Sequence, residues 1–247
     1  MNEESPFETQ QNLKSTKMGL RIFAILALGA GLAGCMQSTP EPVADSSFNA
    51  RDKELLAKAP YQKAVLPEPY RRHIVDYHRK EAPGSIVIDS DARYLYYVLP
   101  DSKDGAKKAI RYGIAVGEEA LAFSGIAKVG RMTEWPTWTP TQNIKTRLGP
   151  EIPNFVGPGP HNPLGSRALY LYANGKDTLF RIHGTNQPEM IGAAVSSGCI
   201  RMQNEDIIDL YNRVKLNSIV VVIAPNQGDS PSNPQVALGQ SVPTHGH

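Results

Sequence analysis

The 247-residue chain has only two cysteines, Cys35 and Cys199, and only two tryptophans, Trp135 and Trp138. Two thiols cannot build a disulfide framework. Their settings argue against even one bridge, since Cys35 closes an apolar run and Cys199 stands between Gly198 and Ile200 far downstream. An excess of one charge is missing too. The formal net charge is +2, and residues 1–34 add nothing to it, because Glu3, Glu4 and Glu8 balance Lys14, Lys17 and Arg21. That is too weak a field to argue for nucleic acid, since phosphate binding needs a concentrated basic face, and no nucleic-acid partner is expected. The densest basic stretch, YRRHIVDYHRK (70–80), reads as the wet side of a helix. No apolar run reaches the roughly 20 residues a membrane span needs. There is no HExxH and no Cys/His cluster, and the terminal HGH is too short to weigh as a metal site. The 40% hydrophobic content is enough for a core of ordinary size.

The longest apolar run, in MGLRIFAILALGAGLAGC (18–35), follows a basic stretch, as the h-region of a secretory signal does. Its end, LAGC (32–35), matches the bacterial lipobox, which makes Cys35 a lipidation site and the mature N-terminus. An ordinary signal cut at small residues, or a buried N-terminal helix, are the alternatives. Met18 is a second candidate start, because the residues before it make an unusually long n-region. These readings place the protein in the cell envelope, lipid-anchored and facing the periplasm. Met36 stands where an aspartate would favour inner-membrane retention, which favours the outer membrane.

Residues 1–34 are thus expected to be a lipoprotein signal peptide, and 35–84 a lipid-anchored tether and short helical strap. The polar MQSTPEPVADSSFNARDK (36–53) is the tether, and Pro60, Pro67 and Pro69 interrupt the strap. From residue 85 short β-rich runs take over: SIVID (85–89), RYLYYVL (93–99), AIRYGIAVG (109–117), SGIAKVGRM (124–132), RALYLY (167–172), TLFRIHG (178–184) and SIVVVI (218–223). NEDIIDLYNRV (204–214) predicts a helix, with Ile207, Ile208, Tyr211 and Val214 at helical spacing and Asn204 as N-cap. The polar residues 225–247 are expected to be a disordered tail. The reading is a mainly-β domain over 85–224 with one substantial helix. Two long loops, TEWPTWTPTQNIKTR (133–147) and EIPNFVGPGPHNPLGS (151–166), are rich in proline, glycine and aromatics. Loops of that length are usually functional, although Trp135 and Trp138 could equally cap a core.

The chemistry-bearing residues are His183, at the end of a predicted strand, and Cys199, in a glycine-bearing turn before the helix. A free thiol is only a few per cent thiolate at neutral pH, and a nearby imidazole would raise that fraction and later return the proton. Spacing alone favours a core thiol and an unrelated histidine.

The wording of the segment changes the balance. HGTNQPEMIGAAVSSGCIRM (183–202) closely resembles the signature of the L,D-transpeptidase (YkuD-type) catalytic domain. SIVIDSDARYLYYV, WPTWTPT and GPGPHNPLGSRALYLY resemble the segments that support it, so the likeness covers roughly 85–224. It implies the family's β-sandwich of mixed sheets, with one substantial helix after the catalytic cysteine. It also implies Cys199 as acyl-accepting nucleophile, His183 as base and later acid, and the backbone N–H groups of Ser197, Gly198 and Cys199 as oxyanion hole. The family places a backbone carbonyl near that imidazole, and Gly184 is the matching candidate. Arg201, Thr185 and Ser196 are further candidates for touching substrate or orienting the cysteine loop, and for Arg201 a purely structural role stands beside that one. Ser197 occupies a position where many members have a second histidine, and Glu189 has no assigned role.

The implied reaction is acyl transfer on peptidoglycan stem peptides, which serve as donor and acceptor, with an envelope protein as alternative acceptor. The thiolate supplies the nucleophile, so no cofactor or metal is expected. Hydrolysis of the same thioester, an L,D-carboxypeptidase activity, is the first alternative. A non-catalytic wall-binding lipoprotein is the second.

Overall fold

The computed structural model describes residues 38–42, 44–61, 64–117, 123–195 and 200–224. The segments expected to be a signal peptide (1–34) and a disordered tail (225–247), together with Cys35, Ser196, Ser197, Gly198 and Cys199, lie outside the described residues.

Twelve strands form one mixed sheet: β1 (Thr39–Pro40), β2 (His73–Asp76), β3 (Ile86–Asp89), β4 (Tyr94–Val98), β5 (Lys108–Gly113), β6 (Ala115–Gly117), β7 (Gly125–Glu134), β8 (Arg167–Ala173), β9 (Lys176–His183), β10 (Ala194–Val195), β11 (Ile200–Arg201) and β12 (Ile219–Val222). Their order is β1-β2-β5-β4-β3-β12-β7-β8-β9-β11-β6-β10. The pairs β3–β12, β6–β10 and β9–β11 are parallel and the others antiparallel. The expected mainly-β, mixed architecture is present. Its strands run in one continuous hydrogen-bonded order that folds over a shared core. Leu95 and Ile110 from one half share one buried cluster with Leu169, Leu171 and Ile182 from the other and with Ile207 and Leu210 of the long helix.

Strand sequences follow from which faces are covered. In β7, Ala127 and Val129 point inward while Ile126 and Lys128 stay exposed, the alternation of a half-buried strand. β3 is buried on both faces, with Ile86 and Ile88 in the main core and Val87 in a second cluster with Tyr77 and Tyr96, so its sequence is a continuous apolar run. A bulge interrupts β7–β8 at Gly130, where a Cβ would fall 2.3 Å from the Tyr172 ring.

Among the described residues three α-helices accompany the sheet: α1 (Ala50–Ala57), α2 (Gln142–Leu148) and α3 (Asn204–Arg213). Helix α3 is the one predicted, but its N-cap is Gln203, which makes no side-chain cap. Asn204 is the first helical residue, and its side chain serves the candidate site instead.

The basic stretch 70–80 is not a wet helix face: its centre, His73–Asp76, is strand β2. β2 pairs with β5, and Arg72 is buried, 2.8 Å from Asp209 of α3. The β-branched pair Ile74 and Val75, just after the proline-broken stretch, suits a pleated surface better than a helix. The segment read as a tether is also docked over most of its length. β1 pairs with β2, and Asn49 and Asp52 form a capping box at the start of α1, where Asp52 is fully buried.

Candidate active site

Strand β9 ends at His183, and the neighbouring strands fix that end. Ala168 of β8 is in register with His183 on one side. On the other, Ile200 and Arg201 of β11 are in register with Ile182 and His183. The His183 carbonyl accepts from Met202 N at 2.8 Å, and Gly184 N donates to Arg167 O at 3.0 Å. His183 is 4% exposed, and its Nδ1 lies 2.6 Å from the Gly184 carbonyl oxygen. A carbonyl can only accept, so Nδ1 carries the proton and Nε2 the lone pair. Burial first, then the Arg201 guanidinium, pushes the imidazole pKa down from 6.5 to about 4, with the Gly184 carbonyl opposing and Arg181 adding to the fall. The ring is therefore neutral at physiological pH, with its lone pair on Nε2.

His183 lines a cleft of about 600 Å3. Both long connecting segments wall it: Trp138 and, from helix α2 at its end, Ile144 of the first, and Val156, His161 and Leu164 of the second. The loops are tied by a reciprocal bridge, Trp138 N to Val156 O at 2.9 Å and Val156 N to Trp138 O at 2.8 Å. The buried Asn162 amide reinforces the tie by donating to Pro136 O (2.8 Å) and Gly157 O (3.0 Å). The two tryptophans divide the roles left open for them. Trp135 is buried and its indole N–H donates to Asp52 at 2.9 Å, whereas Trp138 lines the cleft.

Arg201 also lines the cleft, and its Nη1 donates to Gln187 Oε1 at 3.1 Å. Thr185 is buried, and its hydroxyl accepts from Gln187 N at 3.0 Å, so it shapes the turn after the histidine. Glu189 is exposed on a single 3-10 turn, Pro188–Met190. Of the expected site residues, His183, Gly184, Thr185 and Arg201 come together here. Ser196, Ser197, Gly198 and Cys199 are outside the described residues, although both flanking strands, β10 and β11, pair with β6. No group of three or more metal-ligating side chains occurs among the described residues.

Two participants were not read from the sequence. Arg181 lines the cleft and is held by a bidentate pair with Asp177 (2.7 and 2.8 Å) and by stacking on Tyr170. Asn204 has its amide inside the turn that follows His183. Its Oδ1 accepts from Ser166 N at 2.9 Å and its Nδ2 donates to Thr185 O at 2.8 Å. The crowding around that amide would have been a usable signal, since Gly165 and Gly184 both press on it: a Cβ on either would stand 2.2 Å from Asn204 Oδ1.

Residues 83–222 match the L,D-transpeptidase catalytic domain, YkuD. The chain belongs to that family. Among curated L,D-transpeptidase relatives, the probable L,D-transpeptidase ErfK/SrfK of Escherichia coli K12 is 32% identical over 79% of this chain and 56% of its own length. The probable L,D-transpeptidase YcfS of the same strain is 35% identical over 65% of this chain and 49% of its own. The chain therefore spans about half the length of the curated relatives it matches. A crystal structure of a probable carnitine operon oxidoreductase from Brucella melitensis is 45% identical, over 64% of this chain and 96% of that one, with a TM-score of 0.43. The L,D-transpeptidase domain accounts for β3 to β12 and α3, while β1, α1 and β2 lie before its matched residues.

Proposed function

We propose that the protein is a cysteine-dependent L,D-transpeptidase acting on peptidoglycan stem peptides, with Cys199 as nucleophile and His183 as base. The observation that carries this reading is the His183 imidazole, buried at a strand end, neutral, with Nδ1 committed to the Gly184 carbonyl. Cys199 directly precedes Ile200 in the sequence, and Ile200 is in register with Ile182, the residue before His183.

In the proposed reaction the Cys199 thiol gives its proton to His183 Nε2 and the sulfur attacks the carbonyl that joins the third stem residue to the terminal D-alanine. The backbone N–H groups of Ser197, Gly198 and Cys199 stabilise the oxyanion. The C–N bond breaks, Nε2 returns the proton to the departing amine, and a thioester remains on Cys199. An acceptor amine attacks it and loses its proton to Nε2, and the thiol is regenerated. If the amine belongs to a neighbouring stem, the product is a 3→3 crosslink; if it belongs to an envelope protein, that protein becomes attached to the wall. No metal or cofactor takes part. Arg201 and Arg181 line the cleft and no Asp or Glu among the described residues does, which supports a carboxylate-bearing donor, although Asp177 already pairs with Arg181.

Hydrolysis by water is the competing outcome, and products separate the two. Purified protein incubated with a disaccharide-tetrapeptide should give D-alanine and a crosslinked dimer. D-Alanine with free tripeptide alone would make the enzyme a carboxypeptidase, and no D-alanine would end the reading. We further propose a lipid on Cys35 that anchors the protein to the outer membrane, facing the periplasm. Cys35→Ala should shift the protein to the soluble periplasmic fraction, and unchanged membrane fractionation would refute the anchor.

A further inference from the structure

The segment 49–61 precedes the residues matched to the catalytic domain, yet it reaches the turn that holds His183 at two independent points. The first is ionic. Asp52, wholly buried, accepts from both Arg167 guanidinium nitrogens at 2.8 Å and from the Trp135 indole at 2.9 Å. The same guanidinium donates to Ser166 O at 2.9 Å, and the Arg167 carbonyl accepts the Gly184 N–H. The second is a neutral hydrogen bond. The Tyr61 hydroxyl sits 2.6 Å from Asn204 Nδ2, the nitrogen that also donates to Thr185 O. Asn204 Oδ1 completes the link by accepting from Ser166 N.

Both points converge on the two residues after the histidine. Gly184 has its N–H on Arg167 and its carbonyl on His183 Nδ1, and Thr185 has its carbonyl on Asn204. The Gly184 carbonyl is what keeps the proton on Nδ1 and the lone pair on Nε2, so any rotation of that peptide changes which nitrogen can act as base. No side chain in this chain of contacts touches the reacting atoms, and all of them bear on the imidazole's orientation.

We propose that residues 49–61 are a positioning strap for the His183 imidazole, acting on the turn at Gly184 and Thr185 through Asp52 on Arg167 and Tyr61 on Asn204. The proposal rests on the reading of His183 as the base. A strap that merely added stability would alter the melting temperature and leave both the turnover and the tautomer alone.

Tyr61→Phe in the full-length protein removes one hydroxyl and leaves the ring in place, which separates the two. With a disaccharide-tetrapeptide as probe, kcat for D-alanine release should fall roughly threefold to tenfold, the scale of one lost hydrogen bond, while KM stays within about twofold. Nitrogen-15 correlations of the His183 ring should change from a single Nδ1–H tautomer to a mixture, set against the charges of Arg181 and Arg201 that face the ring in both proteins. Unchanged kcat with an unchanged His183 spectrum would overturn the strap. His183→Gln tells that result from failure of the underlying reading: undiminished D-alanine release in that variant would remove His183 as base, whatever Tyr61→Phe does.

Discussion

Acidification pulls two buried groups of this protein in opposite directions. His183 is held at about 4, below the usual 6.5, by burial and by Arg201 and Arg181. Asp206 on α3 is pushed up from 3.8 to about 7, mostly by burial, with Arg72 at 3.9 Å opposing only in part. For His183 the unfolded chain takes up the proton first. Its contribution to stability is complete above pH 6.5 and is lost as the pH falls towards 4. For Asp206 the folded chain holds a proton that the unfolded chain lacks. Its contribution is complete below about pH 3.8 and is lost as the pH rises towards 7. Each slope is about 1.4 kcal/mol per pH unit, so the two cancel across the shared window. Removing one group uncovers the other. Asp206→Asn should gain roughly 3 kcal/mol between pH 4 and 6.5, and His183→Gln should lose a similar amount over the same range. Urea unfolding at half-unit pH steps reads this, and comparing each variant with wild type removes the groups they share. Three parallel curves would refute the burial argument for both residues.

Other consequences are quicker to check. Asp52→Ala should cost about 4 kcal/mol, because it leaves the Arg167 guanidinium and the Trp135 indole N–H buried without their shared partner, and the melting temperature should drop by roughly 10 °C. Adding Arg167→Met should recover most of that loss, and calorimetry showing the double variant no better than the single one would contradict it. Gly184→Ala should yield little folded or active protein, since its Cβ would stand 2.2 Å from Asn204 Oδ1 and 2.9 Å from Ser166 N; normal expression with normal D-alanine release would contradict that packing. Trp138→Ala should raise KM for the tetrapeptide severalfold with little change in melting temperature, because its backbone bridge to Val156 does not need the side chain. Ser197→Ala should cost little, as only its peptide N–H has a proposed role.

The runs from SIVID to SIVVVI were legible because alternation and β-branching report which faces are covered, and α3 was legible from its apolar spacing. His183 was readable as a strand-end residue, and the turn after it gave its motif. What stayed hidden depended on distant partners. Asp52 looked like a solvated acid in a polar tether, because nothing local announces that Arg167, 115 residues away, will enclose it. Arg72 looked like one of a cluster of wet charges for the same reason, its partner Asp209 being on a helix far downstream. Asn204 had the residue type and position of an N-cap, and tertiary contacts claimed its amide for the histidine turn instead. Trp135 and Trp138 could not be separated by sequence, since three residues in an irregular loop leave their directions unset.

The proposed joint action of Cys199 and His183 can be tested by mixing the full-length protein with a disaccharide-tetrapeptide, quenching in acid within seconds and reading the intact mass and the modified peptide. Wild type should carry the donor less D-alanine on the peptide containing Cys199. Cys199→Ala should carry nothing, and His183→Ala should acylate at least about a hundredfold more slowly, the scale of a lost general base. D-Alanine release that persists in Cys199→Ala, an adduct on another residue, or equal acylation rates in wild type and His183→Ala would contradict the proposed pair.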